Sequence, residues 1–197
     1  MALLIFAVLS LLVAGELQAG VVVGGTRFIF PADKESIAIL LTNTSQESWL
    51  INSKINRPTR WAGGEVSTVP APLLAAPPLI LLKPGTTGTL RLLRTESDIL
   101  PVDRETLFEL SIASVPSGKV ENQSVKVAMR SVFKLFWRPE GLPGDPLEAY
   151  QQLRWTRNSQ GVQLTNPTPY YINLIQVSVN GKALSNAGVV PPKSQRQ

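Results

Sequence analysis

The chain has 197 residues, 44% of them apolar and 17% charged, with 19 Lys+Arg against 14 Asp+Glu. That composition supports a buried core and excludes wholesale disorder. The absence of Cys excludes a disulfide framework, thiolate metal sites and Cys nucleophiles, and the absence of His removes the commonest general base, the commonest metal ligand and any Ser-His-Asp triad.

Residues 3–14 (LLIFAVLSLLVA) are uncharged and apolar but for one Ser. As a helix they would span ~18 Å, short of a bilayer core of about 30 Å. They fit the apolar region of a secretory signal cut after Ala19, although the first basic residue of the chain is Arg27. Without residues 1–19 the chain keeps 19 basic and 13 acidic residues, a net charge of +6. The bases are scattered and do not interleave with aromatics, so nucleic acid is not the expected partner. An anion held by one or two defined bases fits better.

Beyond residue 19 the chain reads as short strands. Residues 36–43 (SIAILLTN) end in a turn cluster, and 49–56 (WLINSKIN) stop at Arg57-Pro58. Residues 79–82 lie between Pro77-Pro78 and Lys83-Pro84-Gly85, and 88–94 and 106–115 follow. Residues 124–138 (SVKVAMRSVFKLFWR) form the longest candidate, with Val125, Val127 and Met129 on one face. Turn signals every 8–15 residues predict an all-β fold, a sandwich over residues 20–139. Residues 140–146 (EGLPGDP) read as a linker. Strands at 152–157, 161–165, 172–179 and 182–184 follow in a second unit, 147–197, with Asn180-Gly181 as a hairpin signal. No motif predicts a cofactor or metal. The nearest thing to a catalytic carboxylate pair is Asp103 with Glu105, two apart on a strand-like stretch.

Five segments then converge: Gly25-Thr26-Arg27; Ala76-Pro77-Pro78 with Leu82-Lys83-Pro84-Gly85; LPVDRETLF at 100–108; FKLFWRP at 133–139; and Asn166-Pro167-Thr168-Pro169-Tyr170-Tyr171. In this order and spacing the chain resembles the periplasmic chaperones of the chaperone–usher pilus pathway, PapD-like proteins. It departs from the family signature at Glu109 and Ser111, where an aromatic and an Asn are usual. The resemblance implies two Ig-like β-sandwiches set as an L, the second incomplete because the family's second sandwich continues past residue 197.

The resemblance also implies roles. Val125, Val127 and Met129 would form a donor strand that completes a pilus subunit's sheet, a case of β-augmentation. Arg27 and Lys134, each an ordinary surface base when taken alone, would grip the subunit's C-terminal carboxylate, a fit for a guanidinium beside an ammonium. Glu105, Arg138 and Arg91 would form an ion network orienting the domains, with two Arg sharing one Glu. The implied partners are pilus subunits, an outer-membrane usher and a second copy meeting the exposed edge. The implied location is the periplasm, and the role is not enzymatic. Two readings compete: an Ig-like adhesion or structural module, and a truncated chaperone without function. The tripeptides Asn43-Thr44-Ser45 and Asn122-Gln123-Ser124 match the N-glycosylation pattern, which matters only for the first of these rivals.

Overall fold

The computed structural model describes residues 20–59, 70–95, 100–118, 126–159, 161–179, 181–183 and 188–197. The signal-like segment and Val125 lie outside the described residues. The first unit is built from β1 (Val21–Val23), β2 (Arg27–Pro31), β3 (Ser36–Asn43), β4 (Trp49–Asn56), β5 (Leu73–Ala76), β6 (Leu79–Leu82), β7 (Thr87–Arg94), β8 (Thr106–Pro116) and β9 (Met129–Arg138). These form two sheets in the orders β1-β3-β7-β5 and β2-β9-β8-β4-β6. Successive strands alternate between the two sheets from β1 to β8, and two of these crossings fall at Gly24-Gly25 and at Pro77-Pro78, where glycine freedom and the missing proline N–H suit a break in pairing.

Alternation decides what is buried. On β3, Ile39 and Leu41 point inward and Leu40 outward; on β7, Leu90 and Leu92 point inward and Arg91 outward. Their inward faces meet Ile51, Phe108, Leu110, Ile112, Leu135 and Trp137 in one core. Phe30 stacks on Trp137 with centroids 5.3 Å apart, joining the short β2 to β9. Asn43 closes β3 with a fully buried amide that donates to the carbonyls of Glu47 at 2.7 Å and Lys83 at 3.0 Å. A side chain so enclosed has no room for a glycan, so the first of the two glycosylation patterns is a turn, not an acceptor.

After the turns of residues 140–146 and a 3-10 turn, Ala149–Gln152, the second unit has smaller sheets. Strands β10 (Arg154–Asn158) and β11 (Gly161–Asn166) form the first hairpin. Then come β12 (Ile172–Asn173), β13 (Ser178–Val179), β14 (Lys182–Ala183), β15 (Val189–Val190) and β16 (Ser194–Arg196). The sheets are β10-β11-β16, β12-β15 and β13-β14. Gly181, at φ 78°, sits in the β13–β14 turn, where a left-handed residue is required. The single strand expected over 172–179 is instead two short ones with different partners. Strands β15 and β16, next to Pro191-Pro192, were not expected. Ala149, Leu164, Tyr170, Ile172 and Val190 form the core. Asn166 ties its loop together, donating to the carbonyls of Tyr170 and Pro191, both at 2.9 Å.

The longest candidate strand also differs from expectation. It starts at Met129, not residue 124, because its ladder to β8 ends at the pair Ser114–Met129. Val127 lies just before it and is 63% exposed.

Candidate functional site

Strand β9 has a different neighbour pattern in its two halves. Along Lys134–Arg138 it lies between β8 and the parallel β2. Along Met129–Phe133 it pairs with β8 alone, because β2 starts only at Arg27, opposite Lys134. The other edge of this half-strand is unpaired among the described residues, leaving a row of backbone donors and acceptors for another strand. Phe133, Leu135 and Trp137 face the core, and Met129 shares their parity at the rim, 49% exposed. Val132, Lys134, Phe136 and Arg138 face the cleft between the two units.

Arg27 and Lys134 sit side by side across the parallel β2–β9 pair and line one cavity with Thr26, Val132 and Asn173. Arg27 is exposed. The Lys134 ammonium donates to Asn173 Oδ1 on β12. Burial, and next the Arg27 guanidinium, push the Lys134 pKa below its ordinary value. Two cations held together at a half-buried rim favour an anion. The adjoining cleft, about 350 Å³, is lined by Ile29, Phe136, Tyr170 and Tyr171 among others.

Glu105 is the hub between the units. Its carboxylate is buried and accepts from Arg138 Nε at 2.7 Å and from the Tyr171 backbone N–H at 2.8 Å. Its own N–H donates to the Pro169 carbonyl at 2.9 Å. The Arg138 guanidinium lies 5.5 Å from the Tyr170 ring centroid, and Phe136 meets Tyr171 with centroids 5.5 Å apart. Arg91 does not belong to this group. It stands on β7 of the other sheet, in register with Ala38 and Ala76 and exposed on the outer face. Its neighbours Leu90 and Leu92 point inward, so parity turns Arg91 away from the cleft. The expected sharing of one Glu by two Arg is therefore replaced by one Arg and one backbone N–H.

Four contributors were missed from sequence. Asp103 accepts from Arg104 Nε at 2.9 Å and from Lys193 Nζ, in the second unit, at 2.7 Å. The Arg104 hydrogen bond, then that of Lys193, hold the Asp103 carboxyl well below the usual carboxylate range. Each carboxylate of the Asp103/Glu105 pair is thus engaged by cations of its own. Lys193 is left-handed, at φ 48°, which turns the tail back toward Asp103. Asn173 and Tyr171 reach the cleft through the Asn-Pro-Thr-Pro-Tyr-Tyr loop and β12. The motif was visible, but nothing in the sequence tells which of its atoms face the first unit. Among the described residues no cluster of acidic side chains fit to hold a metal ion occurs. Also among them, no helix is long and apolar enough to cross a membrane.

A two-sandwich protein with an open half-strand beside a cationic cleft is the architecture of a pilus-assembly chaperone. Residues 20–143 match the family described as pili and flagellar-assembly chaperone, PapD N-terminal domain, and residues 148–197 match the PapD C-terminal domain of pili assembly chaperones. The chain is 98% identical over all 197 residues to the fimbrial chaperone YcbF of Escherichia coli strain K12, covering 84% of it. It is 32% identical to the chaperone FimC of the same strain, over 95% of this chain and 76% of that one. Its fold matches the Salmonella enterica SafB chaperone, solved in complex with the SafA pilin, with a TM-score of 0.77, 31% identity, and 93% and 84% of the two chains covered. The chain belongs to the PapD-like family of pilus chaperones, and its function is that of a fimbrial chaperone of the chaperone–usher pathway.

Proposed function

We propose that the chain works in the periplasm by lending the open edge of β9, with Val125, Val127 and Met129, to an incomplete pilus subunit. Arg27 and Lys134 hold the subunit's C-terminal carboxylate. Glu105 and Arg138 keep the two domains at the angle that forms the cleft. No step is catalytic, and the capped subunit passes to an outer-membrane usher. Without cargo, a second copy covers the same open edge.

One observation carries this reading. The two cations lie in register across β2 and β9 at the point where β9 loses its neighbour. A carboxylate held there sets which subunit residue meets which donor residue, because a one-residue slip would reverse every side chain. The direct test is capture of a co-expressed subunit from the periplasm by Arg27→Ala and Lys134→Ala. Each removes a charge-assisted contact of about 1.5–3 kcal/mol, so recovery should collapse in both. Undiminished recovery by both variants overturns the anchor.

A further inference from the structure

The anchor as read above belongs wholly to the first domain, yet its lysine is held from the second. Asn173 lies on β12, whose other residue, Ile172, is buried in the second core opposite Val190. Alternation therefore turns Asn173 the other way, into the cleft. Its amide oxygen accepts from Lys134 Nζ. It lines both the small cavity with Arg27 and Lys134 and the larger cleft with Glu105 and Arg138. Its backbone is set two residues along from Tyr171, whose N–H is fixed on buried Glu105 at 2.8 Å. A chain of contacts thus runs from the interdomain hub to the ammonium.

We propose that Asn173 is a positioning residue of the carboxylate anchor, aiming the Lys134 ammonium from the second domain so that the site recognises a chain terminus only while both domains are docked. This rests on the reading of Arg27 and Lys134 as a carboxylate site. The chemistry favours an amide here. An ammonium has three N–H donors, so Asn173 orients it by taking one of them and leaves its positive charge facing the cleft. The neutral oxygen orients the charge without cancelling it. An Asp of nearly the same shape would place a carboxylate against Lys134 and Arg27 and compete with the cargo from within.

The test measures binding of one short synthetic peptide of alternating apolar residues, made with a free C-terminal carboxylate and with a C-terminal amide. The full chain is used as wild type, Asn173→Ala, Asn173→Ser and Asn173→Asp. Wild type should prefer the free acid. Asn173→Ala should lose about tenfold on the acid, as for one hydrogen bond to a charged group, with the amide unchanged. Asn173→Ser, which restores an oxygen, should recover part of that loss. Asn173→Asp should bring the acid-to-amide ratio to about one, more damage than Ala from a smaller change in shape. A residue that only supports the fold would move both peptides together. If wild type does not distinguish acid from amide, the anchor itself falls and this inference with it. If wild type distinguishes them and the Ala and Asp variants keep its ratio, the anchor stands and the role of Asn173 is overturned.

Discussion

The two domains are held together by different means. Among the described residues, the first packs sixteen buried apolar side chains between a four-stranded and a five-stranded sheet. The second, over its described residues, has five such side chains under a three-stranded sheet and two two-stranded ribbons. Burial of apolar surface stabilises the first. The second depends more on polar ties: the Asn166 amide in its own loop, and Pro169, Tyr171 and Lys193 on the first domain. Separating recognition from stability follows from this. The cleft is formed where the larger core meets the smaller one, so whatever loosens the junction also disperses the anchor.

The largest effect should come from cutting the chain at that junction. Residues 20–139 should fold alone, and residues 144–197 should not. The total margin of a domain is only about 5–15 kcal/mol, and a five-residue core leaves little of it once its partner surface is lost. Hydrogen exchange on the intact chain should show the slowest amides in β3, β4, β7 and β8. Equal protection in β10–β16 would erase the contrast. Next in size is Glu105→Ala. Removing one partner of a buried pair costs ~3–5 kcal/mol, and the lower end applies because Arg138 keeps 30% of its side chain in water. The loss should appear as faster exchange around Tyr171, with β4 and β8 still protected. Glu105→Gln, which keeps an acceptor for the Tyr171 N–H, should fall between.

The open half of β9 sharpens the comparison within one strand. Val127→Asp and Met129→Asp replace side chains that are largely or half exposed, so thermal melting should shift by no more than ~0.5 kcal/mol equivalent. Subunit capture should weaken by ~1.5–3 kcal/mol for each apolar side chain kept out of the partner's groove. Unfolding of both variants would place those side chains in the chaperone's own core and remove them from the donor strand.

How much of this was legible depends on where the information lies. The bounds of β3, β4 and β6 were readable to the residue, since each is an apolar run closed by turn chemistry. β2 was not. Its five residues are fixed by parallel pairing with a strand far along the chain, and nothing local announces it. β5 is confined between Pro72 and Pro77 and too short to show alternation. At the site, resemblance supplied Arg27 with Lys134 and Glu105 with Arg138, and the structure brings each pair together. It misplaced Arg91, which strand parity would have excluded, because Leu90 and Leu92 flank it. Asn173 and Lys193 were beyond reach, since their roles depend on how one domain docks on the other.

The smallest effect should come from the exposed bridge. Asp103 draws Arg104, its own neighbour, and Lys193, across the junction, and all three side chains are 38–46% exposed. Solvent screens such pairs, so Asp103→Asn should lower the melting temperature only slightly, and less at high salt. The pH dependence is the sharper measure. The folded carboxyl is held below its usual range, so its contribution is complete above the unfolded value of about 4 and is lost as pH falls through the depressed one. The difference between wild type and Asp103→Asn should stay constant from neutral pH down to about 5 and shrink only below about 4. Lys193→Met should remove the interdomain share alone and leave the Arg104 share titrating as before. If the difference instead closes between pH 7 and 5, Asp103 is not held by these cations. If Lys193→Met has no effect beside a clear one for Asp103→Asn, the bridge is local to the first domain and the junction rests on Glu105.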